Sequence, residues 1–289
     1  MIRALEDKSI EVTESIWSSL SLAPKPNTEV QHIQKVWDGQ MAAHHLDQLL
    51  SRTTSEVDKA RLLAASSPHA GDWLHAPPIT AVGLRLSDEA VRVAVAHRLG
   101  SKACEPHTCV CGKSVDARGL HGLACRKSSP RQQRHSLMND ILWRAIKRAQ
   151  IPAVKEPVSL MQDNKRPDGT TLLPWARGKP LAWDVTVPDT YADSHIGNTS
   201  TKVGAAAQDA ARKKVDKYAN LAETHLFYPF AIETGGAWHD LAIELVQEIG
   251  RRTTIVTEET RETTFLFQRL SIALQRGNAV AFLNTMIAE

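Results

Sequence analysis

This chain of 289 residues contains no run of 18 apolar residues, so it offers no segment that would cross a bilayer as a helix. Its amino terminus, MIRALEDKSIEV, carries acids where a secretory signal would have its apolar core, and export is not expected. Cysteine is scarce, four in all, and none lies outside residues 104–125. A disulfide framework would spread its cysteines along a small secreted chain, so this distribution excludes one. Charge of one sign is lacking too: 35 Lys and Arg against 32 Asp and Glu leave a net charge of +3, which by itself names no partner. No internal repeat or low-complexity segment occurs. These absences lead us to expect an intracellular protein with no membrane partner.

At 42% hydrophobic residues the chain can bury a substantial core and form two or three units. The first hundred residues read as helical and carry no recognisable chemistry. Apolar residues have helical spacing from Leu5 to Leu20 and from Val30 to Leu50, on either side of the breaker APKPNTE. A third helix is delimited within SDEAVRVAVAHRLG, with Ser87 as N-cap, Asp88 and Glu89 in the first turn, His97 and Arg98 in the last, and Gly100 as the stop. Trp17, Trp37 and Trp73 read as core or interface anchors, and SSPHAGDWLHAPP as an irregular connector.

From Pro130, with Ser129 as N-cap, a helix presents Leu137, Ile141, Leu142, Ala145 and Ile146 on one face. Three extended segments follow in VKEPVSL, RPDGTTLL and LAWDVTV, then a helix from about Ser200 to Glu223 and a strand in THLFYPFAIET. Two more helices, Trp238 to Arg251 and Glu258 to Arg276, complete the order of a mixed α/β core. The helix from Pro130 lies in a cationic stretch, where Arg126, Lys127, Arg131, Arg134, Arg144, Lys147 and Arg148 face a single acid, Asp140. Such a face is either a solvated helix surface or one that meets phosphates.

The cysteines lie in CEPHTCVCGKSVDARGLHGLAC. Cys109 and Cys111 form one pair, His121 and Cys125 a second, with Gly112 and Gly119 available for the turns between them. Thiolate and imidazole are zinc's preferred ligands, and four of them would close a structural site with no open position for water. The spacing of Cys109 and Cys111 is shorter than zinc pairs usually have, which leaves Cys104 or His107 as a replacement for one ligand.

Two acids stand out downstream. Asp168 follows Arg166-Pro167 at the start of one extended segment, and Asp184 lies within the next, sharing a strand face with Thr186 while Trp183, Val185 and Val187 share the other. A carboxylate among apolar neighbours needs a partner. A Mg²⁺ ion held by both carboxylates would supply one; an Asp168-Gly169 turn and a salt-bridged Asp184 is the other reading.

Helix, strand with Glu156, Pro-Asp at a strand start, then an acid in the next strand: this order resembles the PD-(D/E)xK nuclease core. With the Cys-Cys-His-Cys segment before it, Arg134-His135 on a basic helix and Lys217-Tyr218 after it, the chain is similar over about residues 100–235 to the restriction-like endonuclease domain of site-specific non-LTR retrotransposons. The resemblance implies an α/β (α+β) restriction-endonuclease-like domain over 129–289, with a central mixed sheet flanked by helices, preceded by a zinc-binding unit at 101–128 and a linker-like helical region at 1–100. It implies a divalent-metal-dependent DNA endonuclease, nuclear in location, with element RNA as a further partner. Asp168 and Asp184 would hold Mg²⁺, Glu156 would be a further ligand or base, and Arg131, Arg134, His135, Arg166 and Tyr218 would face DNA.

The usual lysine position of that core, two residues after the second acid, is Thr186 here. Lys202, Lys213, Lys214 and Lys217 on the following helix are the substitutes, with Lys214 and Lys217 sharing a face with Tyr218. If none reaches the acids, the alternative is a catalytically degenerate, zinc-containing nucleic-acid-binding protein. No Tyr/Phe-x-Asp-Asp polymerase run occurs, so the resemblance implies the C-terminal part of a reverse-transcriptase polyprotein.

Overall fold

The computed structural model describes residues 33–125, 127, 130–158, 160 and 166–286, together with residue 18. Most of the helix expected from Leu5 to Leu20, and the expected cap Ser129, lie outside the described residues. The chain divides into two compact units, Met1–Arg52 and Thr53–Glu289. In the first, helix α1 spans Ile33–Arg52, as the apolar spacing predicts.

The second unit begins well before the boundary expected at residue 100. Helix α2 (Glu56–Ser66) is capped by Ser55, whose hydroxyl accepts from the amide of Asp58. Helix α3 (Asp88–Leu99) has the anticipated ends: Ser87 accepts from the amide of Ala90, and Gly100 closes it in the left-handed conformation. These elements are not a linker. Trp73, Leu84, Leu86, Val93 and Ala94 bury against Ile272, Ala279 and Phe282 of helix α9 (Glu262–Leu283). Periodicity shows that a helix has an apolar face without showing what covers it, and here the cover comes from the far end of the chain.

Between α3 and the main sheet lie a small hairpin, β1 (His107–Thr108) with β2 (Ser114–Val115), and the short helix α4 (His121–Ala124). Helix α5 (Pro130–Arg148) then leads into a four-stranded mixed sheet, β3 (Ala153–Lys155), β4 (Gly169–Thr171), β5 (Leu181–Thr186) and β6 (Leu226–Ala231), ordered as numbered. Strand β3 pairs with β4 and β4 with β5 in antiparallel fashion, while β5 and β6 run parallel and are joined through helix α7 (Ala205–Lys217).

In place of the single helix expected from about Ser200 to Glu223 the chain forms α7 and a 3₁₀ turn at Ala219–Glu223, preceded by the short helix α6 (Ile196–Thr199). Gly204, at φ 69°, sets the start of α7. Buried Glu233, just past β6, accepts from the amides of Ala206 at 2.9 Å and Ala207 at 3.1 Å, so the sheet itself caps the amino end of α7.

The central strand β5 is buried on both faces from Leu181 to Val185. Leu181, Trp183 and Val185 join a core with Met138, Leu142 and Ile146 of α5, Leu245, Val246 and Ile249 of helix α8 (Asp240–Thr257), and Leu266, Leu270 and Leu274 of α9. The opposite face carries Ala182 against Tyr218 and Leu221, and Ala231 of β6 against Ala207 and Ala211 of α7. Alanines let α7 lie close over the sheet, and Asp184 lies on the β5 face that it covers.

Candidate metal centres

Gly112 at φ 87° and Gly119 at φ 70° make the turns on which the cysteine cluster depends. The first closes the β1–β2 hairpin, where the amide of Cys109 donates to the carbonyl of Lys113 at 2.9 Å and that of Gly112 to Cys109 at 2.7 Å. The second starts the turn into α4, which carries His121. Cys109, Cys111, His121 and Cys125 then converge, each offering a ligand atom within 4.8 Å of the others. The sulfurs of Cys109 and Cys125 lie 3.8 Å apart, and Cys111 Sγ lies 3.2 Å from His121 Nε2. Three thiols and an imidazole in this arrangement can hold a zinc ion.

The two alternative ligands are engaged elsewhere. Cys104 Sγ faces the carbonyls of Asp116 at 3.4 Å and Ala117 at 3.8 Å, and His107 Nε2 is 2.9 Å from Thr285 Oγ1. Cys109, Val115 and Cys125 make a small buried cluster of their own, and burial pushes the Cys109 thiol up to about 11. A thiolate is costly there unless a cation shares the site.

The aspartates form a second constellation. Gly169 is no turn residue: it lies in β4 opposite Trp183 of β5, and a Cβ on it would sit 2.0 Å from the Trp183 ring. Asp168 therefore leads into a strand rather than opening a turn. Its Oδ2 accepts from the amide of Val185 at 2.6 Å and from His135 Nε2 at 2.9 Å. Among the described residues no hydrogen bond reaches its Oδ1.

Asp184, 2% exposed, points toward α7, where Lys214 Nζ makes a close ion pair with its Oδ1. Burial raises the Asp184 pKa, and the Asp168 charge raises it further against the opposing pull of Lys214. His135 lies above its ordinary value chiefly because Asp168 accepts its hydrogen bond, and it also feels Asp184 and Lys214. Two acids, a lysine and a histidine from four elements thus share one electrostatic neighbourhood.

Of the other lysines, Lys213 pairs with Asp209 on the exposed side of α7, Lys202 is exposed, and Lys217 Nζ donates to Tyr218 Oη at 2.8 Å. Glu156, at φ 48°, brings its backbone to the site, donating its amide to the carbonyl of Asp168 at 3.1 Å, while its side chain is exposed.

Two residues expected to face DNA do not reach the surface. Arg134, 2% exposed, donates to Asn278 Oδ1 at 2.8 Å and to the carbonyl of Leu123 at 3.3 Å, and burial lowers its pKa to about 10. Tyr218, 1% exposed, packs on Ala182 and donates to the carbonyl of Arg166 at 2.6 Å. Arg131 and Arg166 are exposed, and His135 turns inward to Asp168.

Sequence reading overlooked Asn139. One turn beyond His135, it donates to the carbonyl of Asp168 at 3.1 Å and accepts from Trp183 Nε1 at 2.8 Å. An amide four residues from a histidine on the inward face of a helix was the available signal. Among the described residues, no helix is long and apolar enough to cross a membrane. Comparison of the sequence with protein-family models and with curated proteins gave no match.

Proposed function

We propose that the chain is a divalent-metal-dependent DNA endonuclease of the PD-(D/E)xK type, similar to the nuclease of site-specific non-LTR retrotransposons. The observation that carries the reading is the seating of Lys214, from the helix after β5, on buried Asp184 beside Asp168. That contact supplies the cation that Thr186 cannot. The sheet order supports the same reading: an acid leads into one strand, the second lies in the next, and a helix crosses over to a parallel partner.

Asp168 and Asp184 are the carboxylates that would hold Mg²⁺, an ion bound through one or two carboxylates together with water and phosphate oxygens. The fit rests on a buried acid that already needs a cation and on an Asp168 oxygen to which no described residue donates. Bound there, Mg²⁺ would supply an acidified water and charge neutralisation at a phosphodiester. Lys214 would orient that water and offset the charge developing on the phosphate, a preorganised role because its helix is capped by Glu233. Exposed Arg131 and Arg166 would contact the DNA backbone without reading sequence. The Cys109, Cys111, His121 and Cys125 zinc unit is structural in this reading.

The test is Mg²⁺-dependent nicking of supercoiled plasmid. Asp184→Asn and Lys214→Ala should each slow nicking on the order of 100-fold or more, as expected for removal of a group that stabilises transition-state charge. Cleavage at the wild-type rate by Asp184→Asn would sink the assignment. DNA binding without metal-dependent cleavage by wild type would instead favour the degenerate binding protein, for which Thr186 in the usual lysine position is the motive.

A further inference from the structure

Helix α5 holds Asp168 at two points. Asn139 donates to its main-chain carbonyl at 3.1 Å, and His135, one turn earlier on the same face, donates from Nε2 to its carboxylate at 2.9 Å. A third hold comes from β5, where the amide of Val185 reaches the same oxygen, Oδ2, at 2.6 Å. Both donors to the carboxylate converge on one oxygen, which holds Oδ2 in place and leaves Oδ1 with no donor among the described residues. Asp184 is the residue immediately before Val185, so the clamp on Asp168 is built into the strand that presents the other acid.

The histidine contributes this bond at a cost. Its Nδ1 is buried and has no hydrogen-bond partner among the described residues, an arrangement that a side chain serving only to fill space has no reason to keep. Its position near the start of a cationic helix suggests a contact to phosphate, but the ring is turned to Asp168 and only 28% of the side chain is exposed.

We propose that His135 is a positioning residue of the metal site: by donating from Nε2 to Asp168 Oδ2 it orients Oδ1 for a divalent cation. The inference rests on the reading of Asp168 and Asp184 as metal ligands. Hydrogen-bond partners that orient a metal-ligating carboxylate or histidine typically cost roughly 10- to 100-fold in metal affinity or activity when they are lost.

The experiment measures Mn²⁺ binding to the full chain by electron paramagnetic resonance of the free ion, for wild type, His135→Ala, His135→Gln and Asp184→Asn, with zinc content and thermal midpoint recorded for each. His135→Ala should weaken Mn²⁺ binding about 10- to 100-fold, the range for loss of such a partner. His135→Gln, whose amide nitrogen can take the place of Nε2, should recover most of that loss. Equal binding by wild type and His135→Ala overturns the inference and leaves the nuclease reading standing. Equal weakening in Ala and Gln variants also overturns it, since ring packing rather than the hydrogen bond would then matter. Wild type that binds no Mn²⁺, or binds it as well after Asp184→Asn, overturns both readings together.

Discussion

A carboxylate on a central strand, 2% exposed, would cost several kcal/mol to bury alone; Lys214 pairs with it and offsets part of that cost, while burial and the Asp168 charge still hold its pKa above the ordinary value. The need for a partner was legible from Trp183-Asp184-Val185 itself, whereas the sequence narrowed the lysine only to Lys214 and Lys217, and it is the seating of Lys214 on Asp184 that separates them. What Arg134 does was not legible. Its partners, Asn278 and the Leu123 carbonyl, are remote in sequence from the helix pattern in which it reads as one more cation. His97 shows how a buried base couples to pH. It packs edge-on to Phe282, its Nε2 has no hydrogen-bond partner among the described residues, and burial lowers its pKa from 6.5 to about 4. The unfolded chain therefore takes up this proton at higher pH than the folded one. The related stability is complete above about pH 6.5 and is lost as the pH falls toward 4, on the order of 3 kcal/mol in all. Urea midpoints at pH 7 and pH 4.5 should therefore converge in His97→Asn relative to wild type. Parallel acid losses in the two proteins would refute the assignment.

Among the elements, the segment that carries the Cys109, Cys111, His121 and Cys125 cluster depends most on something other than apolar burial. Its strands have two residues each and its helix four, too short to hold without a cross-link. Two glycines in left-handed conformation and the pairs they bring together were legible in the sequence; the choice between Cys104 and its rivals was not, because Cys104 is drawn to carbonyls across the turn. Cys125→Ser should lower zinc content by about one ion per chain and destabilise the unit, whereas Cys104→Ser should keep the metal. Zinc analysis of the two purified variants decides, and equal content in both would return Cys104 to the ligand set. The division of the helix expected over Ser200–Glu223 has a similar origin: Gly204 and the reach of Glu233 from the end of β6 depend on tertiary placement, which periodicity does not encode.

At the scale of the molecule, the four-stranded sheet and the helices of residues 56–99 belong to one compact unit. Trp73 donates its amide to Ser271, Gln268 donates to the carbonyl of His75, and Arg276 donates to the carbonyls of Gly83 and Arg85. The same α9 lies under Gly122 of the zinc unit, where an added Cβ would meet the Phe282 Cα at 2.8 Å. Helix α9 therefore ties α3 and the segment around Trp73, the Cys/His cluster and the sheet together, and no local signal in the sequence shows that residue 100 lies inside one unit. A chain starting at residue 101 would uncover Ile272 and Phe282, at about 1.5–3 kcal/mol each, and leave Ser271 and Gln268 without their partners. Against a typical total stability of about 5–15 kcal/mol, that loss is large enough to abolish cooperative folding. A fragment of residues 53–289 should unfold in one transition with native-like near-ultraviolet circular dichroism, while 101–289 should lack that signal. A stable, cooperative 101–289 fragment would mean that the contacts of α3 and Trp73 with α9 are dispensable and that the sheet folds on its own.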